Sequence, residues 1–111
     1  MPSILKIVLK SRNAKSMANS YVYILKCSDN SYYVGSTKDV GLRFWQHCNG
    51  DGAIYTSERL PVHLVYIEIF TRIDYAFERE HQLKKWSRKK KEALISGNEK
   101  NLKGLSKKHF R

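Results

Sequence analysis

The chain has 111 residues, and its 21 Lys and Arg outnumber 10 Asp and Glu, so its formal net charge is +11. This length suits one domain with a single core, and a hydrophobic content of 41% excludes a wholly disordered chain. So positive a charge favours polyanionic partners, nucleic acid first and an anionic membrane surface second. No apolar run approaches the roughly 20 residues that span a bilayer, so no membrane insertion is expected. Cys27 and Cys48 form no C-x-x-C motif, which indicates reduced thiols in a cytoplasmic protein.

Residues 1–18 are basic and contain no turn signals. They are interpreted as a flexible N-terminal extension before a single domain over residues 19–111. The apolar run at residues 4–9 is too short for a secretory signal and contains a lysine. We therefore expect folded structure to begin near residue 19.

Two short segments predict a β-hairpin. Residues 21–27 are β-branched, aromatic or aliphatic, as strands are. Residues 28–31 have the composition of a turn, and residues 32–36 predict the return strand. The hairpin is the first predicted unit of the sheet.

A helix and an ordered loop are predicted after the hairpin. Thr37 or Asp39 can cap the helix, which runs to about Cys48. Residues 49–52 (Asn-Gly-Asp-Gly) end it. Residues 55–61 predict an ordered loop.

Two longer elements complete the predicted fold. Residues 63–70 are nearly continuous in apolar side chains, which indicates a central strand buried on both faces. Asp74 caps the longest predicted helix, over residues 75–95, and Gly97 stops it. The order is β-β-α-β-α, and the predicted fold is a small α/β sandwich in which helices flank a three-stranded antiparallel sheet.

One carboxylate lies within the apolar face of the long helix. Glu80 falls in a stripe at i, i+3, i+4 spacing whose apolar members are Ile73, Ala76, Phe77 and Leu83. A charge in such a stripe is costly unless it is paired, hydrogen-bonded or metal-bound. Two interpretations stay open: a salt bridge to Arg43 or Arg79, or a ligand for Mg²⁺, which prefers carboxylate oxygen. Glu68, in the buried strand, is the rival carboxylate.

Arg43 and His47 are four residues apart and share a helix face. A guanidinium matches phosphate oxygens, and an imidazole can exchange a proton near neutral pH. The alternative interpretation is a pair of solvated surface residues. Zinc is not expected, because the cysteines and histidines lack ligand spacing.

The relative facing of Tyr23 and Tyr33 depends on the hairpin loop. A loop of two or four residues places them on opposite faces of the sheet, whereas three or five residues, or a bulge, place them on one face. Gly35, within the second strand, indicates the close approach of another group.

Taken together, these residues resemble the GIY-YIG nuclease domain, the catalytic module of the bacterial excision-repair incision subunit and of some homing and restriction endonucleases. The elements that carry the resemblance are Tyr21-Val22-Tyr23, Tyr33-Val34-Gly35, Arg43, His47 and Glu80. Residues 79–86 also match the Arg-Glu-x-x-Leu-Lys-x-Trp helix of the small single-domain bacterial subgroup. The first triplet lacks its glycine and Val34 replaces isoleucine, but both tyrosines and Gly35 are kept.

The resemblance implies metal-dependent hydrolysis of a DNA phosphodiester bond. Glu80 would hold one Mg²⁺ or Mn²⁺, and Arg43 would neutralise the scissile phosphate. Tyr33 would position or deprotonate the attacking water, with Tyr23 hydrogen-bonded nearby. His47 is the alternative general base.

A basic run in the long helix has two interpretations, a solvated helix face or a contact with the DNA backbone. It consists of Lys84, Lys85, Arg88, Lys89, Lys90 and Lys91. No base-reading motif accompanies it, so we expect low sequence specificity. Two functions follow: a DNA endonuclease with a role in repair or recombination, or a nucleic-acid-binding module with little or no cleavage. A protein partner stays open in both cases.

Overall fold

The computed structural model describes residues 5–9 and 19–97. Within these residues a four-stranded mixed sheet carries four helices. The strands are β1 (Lys6–Leu9), β2 (Ser20–Lys26), β3 (Tyr32–Thr37) and β4 (His63–Phe70). The helices are α1 (Val40–Cys48), α2 (Ile54–Ser57), α3 (Ile73–Lys84) and α4 (Arg88–Ser96).

The hairpin, the first long helix and the central strand are predicted correctly. Strand β4 has the predicted bounds, and its residues from Val65 to Glu68 are all buried. Helix α1 begins after Asp39, whose side chain accepts a hydrogen bond from the backbone N–H of Leu42 at 3.0 Å. Local hydrophobic pattern and capping therefore determine these elements.

The prediction of three antiparallel strands is wrong. The strand order is β1-β4-β2-β3, and β1 pairs in parallel with β4. Strand β1 comes from the segment interpreted as an extension, and residues 1–4 and 10–18 of that segment lie outside the described residues. The backbone of β4 would otherwise present unpaired hydrogen-bonding groups at the edge of the sheet, and β1 satisfies them.

The prediction of one long helix over residues 75–95 is also wrong, and with it the order β-β-α-β-α. Helix α3 ends at Lys84, and Ser87 begins α4 by accepting a hydrogen bond from the Lys90 N–H. The short helix α2 occupies part of the predicted loop at residues 55–61. On α3, Ile73 and Phe77 are exposed rather than part of a buried stripe.

Each face of the sheet has its own hydrophobic cluster. The first cluster lies beneath α3 and α4, and its larger members are Val22, Ile24, Tyr66, Phe70, Leu83 and Leu94. The second lies on the α1 face, and its members are Tyr23, Leu25, Cys27, Val62 and Ile67. Alternate residues of β2 thus serve opposite faces, as the pleat requires. No helix in residues 5–9 or 19–97 combines the length and apolar character needed to cross a membrane.

A buried ion pair attaches α3 to the sheet. The Arg79 guanidinium donates to both carboxylate oxygens of Glu68, from Nε at 2.8 Å and from Nη2 at 2.9 Å. The Tyr66 hydroxyl donates to the same carboxylate at 2.5 Å. Glu68 is fully buried, and the guanidinium also lies 5.0 Å from the ring centre of Trp86. Glu68 is therefore a structural carboxylate with its hydrogen-bonding capacity largely used.

Replacement of Arg79 should destabilise the fold strongly. In Arg79→Met the Glu68 carboxylate stays buried without its counter-ion, so the free energy of unfolding should fall by about 3–5 kcal/mol. Urea denaturation followed by circular dichroism measures the loss.

Arg72→Met is the matched control, because Arg72 forms an exposed ion pair with Asp74. Exposed pairs of this kind contribute at most about 1 kcal/mol. Equal losses in the two variants would contradict the role of the buried pair.

Candidate functional site

The two tyrosines of the hairpin lie on one face of the sheet. Lys26 pairs with Tyr32, so the hairpin loop holds the five residues 27–31. In this register Tyr23 faces Gly35 and Tyr33 lies two positions further along the same face, with the two ring centres 6.4 Å apart. The loop of five residues confirms the alternative in which both tyrosines lie on one face of the sheet.

Gly35 makes room for the Tyr23 ring. A Cβ atom at this position would lie 2.6 Å from Tyr23 Cζ, closer than any van der Waals contact allows. The absence of a side chain therefore lets the phenol cross the neighbouring strand and reach α1. Gly35 is needed here for space rather than for an unusual backbone angle.

His47 is enclosed by protein and hydrogen-bonded at both nitrogens. Its Nε2 lies 2.8 Å from the Tyr23 hydroxyl, and its Nδ1 lies 2.8 Å from Thr56 Oγ1. The Thr56 hydroxyl donates to the Ala53 carbonyl oxygen at 3.2 Å, so Thr56 is the acceptor for the Nδ1–H of His47. In this network Nε2 accepts the proton of the Tyr23 hydroxyl, and neither ring nitrogen is left for a water molecule.

The Tyr23–His47 pair is neutral near pH 7. Burial raises the pKa of Tyr23 to about 12, although a hydrogen bond from Arg43 opposes the rise. Burial, with a smaller contribution from the charge of Arg43, lowers the pKa of His47 to about 4. Both shifts disfavour the charged forms, so the resting pair is an uncharged hydrogen bond.

Arg43 is half-buried beside this pair, and backbone and side-chain oxygens orient it. Its Nη2 donates to the Gly52 carbonyl oxygen at 2.8 Å and its Nη1 donates to Gln46 Oε1 at 3.0 Å. A guanidinium has five N–H donors, so these two bonds and the one to Tyr23 still leave donors for a ligand.

Glu80 approaches β3 from the opposite face. Its Oε1 accepts a hydrogen bond from the Ser36 hydroxyl at 2.5 Å, and its Oε2 lies 2.8 Å from the Lys84 ammonium. Arg79 pairs with Glu68 instead, and the Arg43 guanidinium donates to Gly52 and Gln46. The predicted salt bridge to Arg43 or Arg79 is wrong, because a lysine one turn along α3 takes that position.

An open groove lies at the edge of β3, beside the site. Its volume is about 260 Å³, and its lining residues are Tyr32, Tyr33, Val34, Tyr55, Lys84 and Lys91. Tyr33 and Tyr55 belong to the α1 side, whereas Tyr32 and Val34 face α3 and α4. Because β3 is the last strand of the sheet, groups from both faces can reach the same groove.

The predicted basic run is divided among several contacts. Lys84 pairs with Glu80, Arg88 pairs with Glu92, and the Lys90 ammonium lies 4.6 Å from the ring centre of Trp86. The break at residues 85–87 prevents the run from forming one continuous helix face. Lys85 and Lys89 are exposed.

The oxygen atoms at Glu80 are of the kind that a hard divalent cation prefers as ligands. They are two carboxylate oxygens and the Ser36 hydroxyl, and the Glu80 side chain is 12% exposed. Among the described residues no three His, Cys, Asp or Glu side chains form a group that could hold a metal ion. Mg²⁺ is compatible with so few protein ligands, because it keeps several waters and also binds substrate phosphates.

Comparison with known proteins shows the family of the chain. A family model described as the GIY-YIG catalytic domain matches residues 19–93. The chain belongs to the GIY-YIG family. Its GIY-YIG relatives include a UPF0213 protein of Staphylococcus saprophyticus, 49% identical over 80 residues that cover 72% of this chain and 98% of the relative.

Two further GIY-YIG relatives are similar to this chain. A UPF0213 protein of Staphylococcus aureus is 48% identical over 79 residues, which cover 71% of this chain and 96% of the relative. The other is a UPF0213 protein of Bacillus halodurans with a solution structure, whose sequence is 46% identical to this chain. The match covers 70% of this chain and 83% of that chain, with a TM-score of 0.47.

Several residues of this GIY-YIG site carry no clear signal in the sequence. Gly52 was interpreted only as a helix terminator, yet a Cβ there would lie 2.7 Å from His47 Cε1. Thr56 and Ser36 each supply one hydroxyl to a site residue. A single serine, threonine or glycine is common in turns and strands, so its partner becomes visible only when the chain is folded.

Gly52→Ala should disturb the His47 ring. The added methyl group has no space beside an imidazole that two hydrogen bonds hold in place, so overpacking should cost about 1–3 kcal/mol of unfolding free energy. Urea denaturation measures this loss, and NMR signals of the His47 ring report the displacement directly.

Gly41→Ala provides the matched control. A Cβ at this helical position meets only Asp39 Oδ1 at 3.7 Å. Alanine is the better helix former, so stability should rise by about 0.5–1 kcal/mol. A stability unchanged in Gly52→Ala, with unmoved His47 signals, would disprove the tight contact.

Proposed function

We propose that this chain hydrolyses DNA phosphodiester bonds with the help of one divalent cation at Glu80. The observation that supports it is the placement of these side chains about the edge strand β3: Tyr23, Tyr33 and His47 lie together on one face of the sheet, and Glu80 binds Ser36 of β3 on the other. The family match supports a catalytic domain. The net charge of +11 supports a polyanionic substrate.

Arg43 is the proposed ligand of the scissile phosphate. Its position is fixed by the Gly52 carbonyl oxygen and by Gln46, so little reorganisation is needed when substrate binds. The remaining N–H donors can bind phosphate oxygens in the planar geometry typical of guanidinium. Charge that develops on these oxygens in the transition state would be stabilised by donors already in place.

Tyr33 is the proposed contact of the attacking water. It is partly exposed and lines the groove, whereas His47 has no accessible nitrogen. The water oxygen would form the new bond to phosphorus as the bond to the leaving oxygen breaks, and the proton of the water would pass to the phenolate oxygen of Tyr33. His47 acts in this scheme as a positioning residue, because it orients Tyr23 beside Arg43.

Glu80 is the proposed ligand of the cation, Mg²⁺ or Mn²⁺. The bound cation would supply charge stabilisation to the phosphate and to the leaving oxygen. The Lys84 ammonium pairs with one oxygen of this carboxylate. Because the Lys84 side chain is half exposed and also lines the groove, it can turn toward the groove and leave that oxygen to the cation. Ser36 keeps the other oxygen oriented.

Glu80→Gln should abolish cleavage. Loss of the anionic oxygen removes the cation ligand, and the rate should fall on the order of 10²-fold or more, as for other electrostatic stabilisers. Purified protein is incubated with labelled single-stranded, duplex and branched DNA, in Mg²⁺ and in EDTA.

Glu78→Gln is the matched control, since Glu78 is an exposed carboxylate on the same helix. It should cleave at the wild-type rate. DNA that is shifted but intact under every condition would support the alternative, a binding module without hydrolysis. Equal cleavage by Glu80→Gln and wild type would end the proposal for Glu80.

The dependence of kcat/KM on pH separates the two candidate bases. With a pKa of about 4, His47 is already in its base form above pH 5, so a rate that depends on it should be flat from pH 6 to 9. If a tyrosine phenolate accepts the proton, the rate should rise with pH through this range, because the fraction of phenolate rises with pH. We expect a rising profile in wild type and in His47→Gln, and a flat, low profile in Tyr33→Phe. A flat wild-type profile would instead assign the base to His47.

A further inference from the structure

Within residues 5–9 and 19–97, Lys91 is a partly buried lysine without an acidic partner. Burial lowers the pKa of its ammonium group, and no charged neighbour in the described part of the chain contributes to the shift. On the same helix, Arg88 pairs with Glu92 at 3.0 Å. A cation that is withdrawn from water without a counter-ion costs free energy, so an anionic ligand is the natural complement of Lys91.

Lys91 lines the groove at the edge of β3, together with three tyrosines. Lys84 is the other cation of the groove, but Glu80 balances its charge at 2.8 Å. No acidic residue is among the lining residues. Lys91 is therefore a positive charge in a mainly aromatic groove, and no described residue supplies its counter-ion.

Tyr55 is an exposed wall of this groove that is nevertheless held in place. It is 37% exposed, and the Arg59 guanidinium lies 3.7 Å from its ring centre. Arg59 also donates to the Tyr55 carbonyl oxygen at 2.9 Å and pairs with Asp29 at 3.1 Å. An aromatic surface that is fixed before binding loses little conformational entropy when a ligand packs on it.

We propose that the groove is a nucleotide subsite in which Lys91 binds the phosphate next to the scissile one and Tyr55 packs against the sugar or base. Fixed aromatic rings beside a cation are the combination that binds nucleic acid strands through stacking and backbone charge. An acidic peptide would engage Lys91 but would leave the three tyrosines without a matching group. The inference rests on the proposed function in taking nucleic acid as the ligand.

Equilibrium binding in EDTA tests the subsite without cleavage. Fluorescence anisotropy with a labelled oligonucleotide gives Kd for wild type, Lys91→Met and Tyr55→Leu over a range of salt concentrations. Lys91→Met should weaken binding about tenfold and reduce the slope of log K against log salt by about one. Tyr55→Leu should weaken binding without a change of slope, because stacking involves no counterion release.

Arg72→Met is the matched control for charge, since it removes one positive charge at the end of α3 that is remote from Lys84. Its Kd should stay within twofold of wild type. The melting temperature of Lys91→Met should be unchanged or raised, because a buried unpaired charge is removed. Binding by Lys91→Met that matches Arg72→Met in Kd and slope would overturn the subsite. Polyglutamate that competes for binding as strongly as an oligonucleotide of equal charge would also overturn the subsite.

The two proposals can fail separately. Altered binding in Lys91→Met and Tyr55→Leu, without any cleavage in Mg²⁺, would retain the subsite and remove the nuclease. Cleavage that depends on Glu80, with unaltered binding in both groove variants, would retain the nuclease and remove the subsite.

Discussion

The bidentate pair between Glu68 and Arg79 is the contact on which the geometry of the site depends. It joins α3 to the central strand, and the Tyr66 hydroxyl and the Trp86 ring complete its surroundings. Glu80 is the next residue after Arg79, so the same contact sets the position of Glu80 over β3. A buried ion pair adds little net stability compared with apolar packing, but it penalises any arrangement that leaves one partner unpaired. Its effect here is to specify where the helix lies.

The candidate site uses both faces of one edge strand. Successive side chains of a strand point to opposite faces, so Gly35 accommodates Tyr23 on the α1 side and Ser36 binds Glu80 on the α3 side. The interior half, from Tyr23 through His47 to Thr56, is uncharged and closed to solvent. Arg43 is half-buried beside this half, and Glu80 lies on the other face of β3. The charged side chains of the site thus surround an uncharged, hydrogen-bonded interior.

The elements of the fold differ in how far the sequence predicts them. The hairpin, α1 and β4 follow from hydrophobic pattern, turn composition and the cap at Asp39, which are local signals. Strand β1 has an apolar sequence, but its parallel partner β4 is 60 residues away along the chain, so the pairing could not be predicted from local pattern. The break between α3 and α4 depends on Ser87, and a serine within a helical pattern does not by itself indicate a cap.

The sequence by itself determined the GIY-YIG motif, the strong positive charge and the elements with local signals. It also identified Tyr23, Tyr33, Arg43, His47 and Glu80 as the residues to examine. Only the tertiary structure decided that Glu80 meets Lys84 and Ser36, that Glu68 takes Arg79, and that His47 is enclosed. The pairing of charged side chains depends on contacts between distant parts of the chain. Burial, which then shifts each pKa, is a property of those contacts and not of residue type.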